Sequence, residues 1–117
     1  MEGIGTNSYI SAHNQILAHA KAYRLYHNEF YQTQKGAVGI TLNVDWFEPL
    51  NSTNVDHITA CVTKLEFYAG WFANPIFIDG KYPRVMRENI DRRSIAQGFS
   101  ESRLPHFTEQ ETQEIKG

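Results

Sequence analysis

The residues best suited by type and spacing to bind a ligand or to catalyse a reaction lie at the end of one short apolar segment. Their side chains are acidic, amide and aromatic. These residues are Asn43, Asp45, Trp46 and Glu48. Sugar hydroxyls need planar hydrogen-bond acceptors, and the apolar face of a sugar stacks on aromatic rings. Two carboxyl groups about 5 Å apart can hydrolyse a glycoside with retention, and a pair about 6.5–9.5 Å apart with inversion. In the alternative, which the residues alone favour, Trp46 and Phe47 pack beneath a sheet and Glu48 holds a neighbouring loop.

Other catalytic and metal-binding patterns are missing from the sequence. His13 and His27 share one helical stripe, but about 21 Å of helix separates them, so they cannot bind one ion. There is no HExxH motif, no cysteine pair and no cluster of histidines with carboxylates, and the lone Cys61 lies among apolar residues, where thiols are inert. A GxSxG turn, a P-loop and a GxGxxG motif are also missing. We therefore predict no metal site, no cofactor and no nucleophilic cysteine.

One modification motif stands on a predicted surface turn. Asn51-Ser52-Thr53 matches the Asn-x-Ser/Thr pattern that accepts N-linked glycans. Such triplets arise often by chance, so we expect Asn51 to be a glycosylation site only if the protein is exported.

Length and charge limit the class of protein. The chain has 117 residues, of which 41% are hydrophobic, and this is enough to form the core of one domain. Its 11 basic and 13 acidic side chains give a net charge of −2 with mixed signs, which excludes nucleic acid and anionic membranes as partners. No apolar run approaches the roughly 20 residues of a membrane span, and residues 1–7 lack the pattern of a signal peptide. We expect neither a membrane anchor nor an export signal in these residues.

Hydrophobic periodicity predicts two long helices with one strand between them. The first helix runs from Tyr9 to Gln34, after a loop of seven residues that ends in an N-cap at Asn7 or Ser8. Gly36 supplies the stop signal for this helix.

The predicted strand is Ala37–Val44, a short β-branched segment that reads as buried on both faces. The second helix, Val55–Phe72, is expected to end at Asn74-Pro75. Its expected buried stripe consists of Val55, Ile58, Val62, Leu65, Ala69 and Phe72. The order helix, strand, helix is typical of an α/β unit with a parallel sheet, although the sequence contains only one convincing strand.

Two shorter helices are predicted near the end of the chain. Pro83 stands at a first helical position and opens a helix through Ile90, before an irregular loop over 91–102. Thr108 and Glu111 form a capping box, which predicts a last helix over 108–116.

Several sequence blocks, in order and across nearly the whole chain, are similar to one enzyme family. The blocks are Tyr9-Ile10-Ser11-Ala12-His13-Asn14, Ala18-His19-Ala20-Lys21-Ala22-Tyr23, Gly39-Ile40-Thr41-Leu42-Asn43-Val44-Asp45-Trp46-Phe47-Glu48-Pro49, Gly70-Trp71-Phe72-Ala73-Asn74-Pro75-Ile76-Phe77, Gly80-Lys81-Tyr82-Pro83 and Ser102-Arg103-Leu104-Pro105-His106-Phe107-Thr108. They resemble glycoside hydrolase family 1, the β-glucosidase family, and especially its animal, insect-like branch. Several independent blocks in register make this resemblance more specific than a single motif would.

The resemblance implies an α/β fold, the (β/α)8 TIM barrel. This chain would hold the fourth helix, the fifth strand, the fifth helix and the short helices that follow. A full barrel takes about 250 residues, so we expect residues 1–117 to be a partial barrel domain, incomplete at both ends. Taken alone, the chain should be mostly helical with its strand unpaired. The rest of the barrel, or self-association, would have to cover that strand.

The resemblance also implies retaining β-glycosidase chemistry in carbohydrate metabolism. Family members use two glutamates, one in an Asn-Glu-Pro motif and the other in a Glu-Asn-Gly motif. Neither motif occurs here, because Asn28-Glu29 precedes Phe30 and Glu88-Asn89 precedes Ile90. We therefore expect no catalytic residue in this chain and no hydrolysis by the chain alone.

Position in the family assigns a binding role to three residues. The resemblance implies that Asn43, Asp45 and Trp46 approach the aglycone of a β-glycoside, with Asp45 foremost. Glu48 and the Arg103–Pro105 turn would be structural. The complete parent would hydrolyse β-O-glycosidic bonds, and full-length relatives are often secreted. The alternatives are a non-catalytic sugar-binding or interaction module derived from the same family, and a fragment with no separate function.

Overall fold

A computed structural model describes residues 5–116, and most of them are helical. In chain order the elements are α1 (Asn7–Leu25), the π-helix π1 (Tyr26–Phe30), α2 (Tyr31–Gln34), α3 (Val55–Leu65), π2 (Glu66–Gly70), α4 (Trp71–Asn74), π3 (Pro75–Asp79), α5 (Arg84–Ala96) and α6 (Glu109–Lys116). The prediction that the chain is mostly helical is confirmed. The loop predicted for the first seven residues lies partly outside the described residues.

The first long helix is the continuous run of α1, π1 and α2, close to its predicted bounds. Its N-cap position is Thr6, not Asn7 or Ser8, and the Thr6 side chain makes no capping hydrogen bond. It ends at Lys35, which takes the left-handed conformation with φ of 52°. The left-handed residue therefore lies one position before the expected glycine stop, and the Gly36 amide donates to the Tyr26 hydroxyl at 2.8 Å.

The second long helix continues past the position where the sequence predicts its end. Asn54 caps α3 by accepting hydrogen bonds from the amides of Asp56 and His57, at 2.9 and 3.4 Å. The prediction that Asn74-Pro75 stops the helix is wrong, because π3 extends the winding to Asp79. Proline is tolerated in the first turn of a helical segment, where its missing N–H is not needed. Gly80, with φ of 74°, ends the run.

Of the last two helices, α5 is longer than the sequence predicts, whereas α6 begins with the predicted capping box. α5 continues through Ala96, so the irregular loop expected over 91–102 starts too early. Ser94 is compatible with this helix because its buried hydroxyl donates to the Ile90 carbonyl at 2.7 Å. The capping box before α6 is confirmed: Thr108 Oγ1 accepts from the Glu111 amide at 3.2 Å, and a Glu111 carboxylate oxygen accepts from the Thr108 amide at 2.8 Å.

The predicted strand Ala37–Val44 has no regular secondary structure, and this is a correction to the sequence prediction. A strand needs hydrogen bonds to a second strand, and residues 5–116 contain no strand at all. Burial alternates along the segment: Val38, Ile40 and Leu42 are half-buried, whereas Gly39 and Thr41 between them are exposed. One face therefore packs on the helices and the opposite face lacks a cover, where the sequence predicted burial on both.

A small core joins the first and last parts of the chain. Its members are Ile16, Ala20, Tyr82, Met86, Ile90, Leu104 and Ile115. The stripe predicted to be buried on the second helix is open only in its first half: Val55, Ile58 and Val62 are 72%, 41% and 53% exposed, whereas Leu65, Ala69 and Phe72 are half-buried. Phe72 packs against the core, and the exposed first half of the stripe lacks a cover among the described residues.

Candidate functional site

The candidate site lies where the extended segment crosses the second long helix. Asn43 lines a cavity of about 450 Å³ together with Thr41 and four aromatic side chains. The four are Phe67, Tyr68, Trp71 and Phe72. Nε1 of Trp71 is buried and has no hydrogen-bond partner among the protein atoms that the structure describes. Aromatic walls with a few polar groups suit the flat, partly apolar surface of a glycoside.

The Asp45 carboxylate lies near the Tyr68 hydroxyl of the second helix. A hydrogen bond to the Asp45 carboxylate, and the negative charge of that group, raise the pKa of the Tyr68 hydroxyl. Phe47 packs edge-on against the same ring, with centroids 5.6 Å apart. Nζ of Lys64 lies 5.5 Å from both ring centroids. Phe47 thus packs on the second helix, and Asp45, two residues before it, stays exposed to solvent.

Lys64 and Tyr68 are contacts that the sequence did not predict. Both lie within the predicted second helix, whose expected inner stripe passes through Leu65 and Ala69 instead. Lys64 and Tyr68 lie four residues apart and so share one face of the helix, next to the predicted stripe, and that face meets the extended segment at Phe47. The helical period gives the faces of a helix but not which distant segment each face meets.

Trp46 and Glu48 form a separate, exposed pair. The Trp46 ring is 76% exposed, and its Nε1 donates to a Glu48 carboxylate oxygen at 3.3 Å. The alternative in which Trp46 packs beneath a sheet is therefore not found among the described residues. Of the three predicted site residues, Asn43 and Asp45 lie against the second helix, and Trp46 projects into solvent.

A second polar cluster is buried in the core, away from these residues. Nδ1 of His13 lies 2.9 Å from the Tyr82 hydroxyl, and the His13 ring stacks on Phe107 with centroids 4.4 Å apart. Burial lowers the pKa of His13 and raises that of Tyr82. Arg87 closes the cluster by donating to the carbonyls of Leu104 and Pro105, at 2.7 and 2.5 Å. Every group here has a structural partner, so we assign the cluster to the core.

Metal and membrane features are missing from the part of the chain that the structure describes. Within residues 5–116, no three histidine, cysteine or carboxylate side chains lie close enough together to bind a metal ion. No helix in the same range has the length and apolarity to cross a bilayer.

Comparisons with a family model and with known protein sequences point to the same enzyme family. A family model described as Glycosyl hydrolase family 1 matches residues 2–117. Lactase/phlorizin hydrolase of Rattus norvegicus is 47% identical over 113 residues, which are 97% of this chain and 6% of that protein.

Solved structures agree with the sequence comparison. Aphid myrosinase superposes with a TM-score of 0.92 at 37% identity, covering 96% of this chain and 24% of that one. The rice Os3BGlu6 β-glucosidase gives a TM-score of 0.78 at 39% identity, covering 97% of this chain and 21% of that one. The chain therefore spans a quarter or less of the length of each relative named here.

Proposed function

Because this chain belongs to glycosyl hydrolase family 1, as its sequence blocks predicted, we propose that it is one part of a (β/α)8 barrel whose complete protein hydrolyses β-O-glycosidic bonds with retention. The observation that carries the proposal is the match over residues 2–117 combined with coverage of 24% or less of the relatives. The uncovered faces of α3 and of the extended segment support the same reading. In a complete barrel, strands and helices would lie against both.

The chain alone should not hydrolyse glycosides. Retaining hydrolysis needs one carboxyl group to protonate the leaving group and another to attack the anomeric carbon. The Asn-Glu-Pro and Glu-Asn-Gly motifs that carry these groups in the family are both missing from the sequence. An assay of the isolated chain with an aryl β-glucoside should give the rate of the buffer, and turnover above that rate contradicts the proposal.

Within the complete protein, the chain would supply part of the aglycone wall. Asp45 offers an exposed carboxylate next to Phe47, whose ring packs on Tyr68 of the second helix, so it can accept hydrogen bonds from an aglycone beside that helix. Trp46 offers an open ring face for stacking, and Asn43 adds an amide at the aromatic cavity. These residues would orient the leaving group and hold no proton in the reaction.

Asp45→Asn in the complete protein tests this role. With aryl β-glycosides we expect KM to rise several-fold and kcat to change little, because the interaction is made equally in the ground and transition states. Glu101→Gln, at an exposed position outside the cluster, is the matched control. A fall in kcat with unchanged KM, or equal effects of the two substitutions, argues against an aglycone contact.

An interaction module derived from the same family is the second candidate. The apolar side chains of Ile58 and Val62 on α3 are 41% and 53% exposed, which favours association with another surface. Saturable sugar binding without turnover, or a defined oligomer in analytical ultracentrifugation, supports this candidate. A monomer without sugar affinity excludes it.

A further inference from the structure

The turn between the extended segment and α3 holds one asparagine whose side-chain oxygen and nitrogen differ in their hydrogen bonds. Oδ1 of Asn51 accepts from the Thr53 amide at 2.9 Å and from Thr53 Oγ1 at 2.8 Å. Nδ2 of the same side chain donates no hydrogen bond to any protein atom within residues 5–116. The side-chain oxygen is therefore used locally, and the nitrogen is left open to solvent.

Two further contacts hold this turn from outside. The Asn51 amide donates to Nδ1 of His57 at 3.1 Å, and the Asn54 amide donates to the Asn51 carbonyl at 3.1 Å. Asn54 in turn caps α3 through its own side chain. The backbone of the turn is thereby tied to the first turn of α3.

The turn is accessible on its outer side. Asn51, Ser52 and Thr53 are all exposed, and the preceding Leu50 is 94% exposed. Asn51 is also the only one of the eight asparagines in the sequence that is followed two residues later by Ser or Thr. Motif, exposure and an open Nδ2 therefore coincide at one position.

We propose that Asn51 is competent as the acceptor of an N-linked glycan, with a lipid pyrophosphate-linked oligosaccharide as donor. Nδ2 forms a bond to the anomeric carbon of the first sugar, and the bond from that carbon to the pyrophosphate oxygen breaks. The lipid pyrophosphate leaves with the bonding electron pair, and one Nδ2 proton is released to solvent. No redox change takes place. The transfer is independent of glycoside hydrolysis and does not rest on the function proposed above.

The test presents the whole folded chain to a purified oligosaccharyltransferase with its lipid-linked donor, after circular dichroism has confirmed helical structure. We expect one oligosaccharide per chain by intact mass, removed by peptide N-glycosidase. Thr53→Ser keeps the hydroxyl and should remain an acceptor, whereas Asn51→Gln and Thr53→Ala should not be modified. The second asparagine of the turn, Asn54, lacks a hydroxyl two residues later and should stay unmodified.

A peptide covering 48–57 separates the contribution of the motif from that of the fold. If the peptide is modified and the folded chain is not, the fold hides Asn51 and the proposal is wrong. If neither is modified, the motif is not an acceptor and the proposal is also wrong. Modification of Asn51→Gln would place the glycan elsewhere and would equally overturn it.

Discussion

Nδ1 of His13 and the hydroxyl of Tyr82 lie 2.9 Å apart and join the start of α1 to the segment before α5 across 69 positions of sequence. Both side chains are buried, at 8% and 7% exposure. The Phe107 ring stacks on each of them, with centroids 4.4 and 4.6 Å away. Three distant parts of the chain therefore meet at this pair, and it is a direct probe of whether the fold has formed.

Tyr82→Phe should lower the free energy of unfolding by about 1–3 kcal/mol, because it leaves Nδ1 of His13 buried without a partner. Urea unfolding followed by circular dichroism measures the change. Tyr23→Phe is the matched control, since the Tyr23 ring packs on His27 and no hydrogen bond of its hydroxyl is found among the described residues. Equal midpoints for the two variants would show that the His13 contact adds nothing.

The same histidine should make stability depend on pH. Burial lowers the pKa of His13 below its ordinary value of 6.5, so the unfolded chain binds a proton at higher pH than the folded chain does. Stability should be constant above pH 6.5 and should fall as the pH drops below it, down to the lowered folded pKa. Urea midpoints across this window measure the effect, and His13→Gln should flatten it.

Glu111 also responds to acid, but in a lower window. Hydrogen bonds from Thr108 lower its pKa from 4.5, so its contribution is present above that value and is lost below it. A wild-type curve that is flat just below pH 6.5 would contradict the burial argument for His13.

Thr108→Ala should destabilise α6 by about 1 kcal/mol, because the Glu111 amide loses its capping acceptor. Thr108→Ser keeps that acceptor and should remain close to the wild type. Hydrogen exchange of the amides at the start of α6 reports the change locally. A loss of protection spread over α1 as strongly as over α6 would show that the box stabilises more than its own helix.

Alanine substitutions at Ile16 and Val62 test which apolar helix face contributes to the core. Ile16→Ala should cost about 2–5 kcal/mol, because Ile16 is fully buried at 0% exposure. Val62→Ala should change stability by about 0.5 kcal/mol or less, because Val62 is 53% exposed. Urea unfolding of the two variants side by side measures the difference. A large cost at Val62 would mean that an oligomer covers α3 in solution.

Local patterns predicted the elements whose causes are local. The first long helix and the Thr108–Glu111 capping box follow from propensities and side chains only three or four residues apart, and the structure confirms both. The end of the second helix was missed because Pro75 is accommodated by a change to π winding. Sequence rules that treat proline as the end of a helix do not allow for such a change in winding.

The sequence by itself determined the family, through ordered blocks of residues, and it determined where the two long helices lie. Only the tertiary structure decided which helix faces are covered. It also decided that Tyr68, and not Leu65, meets the segment around Asp45. Ala37–Val44 forms no strand pair among the described residues, and this too could be seen only in the structure. The physical reason is the distance along the chain over which each effect acts. Propensity and periodicity act within a few residues along the chain, whereas burial and strand pairing depend on which distant segments are present to supply the partner.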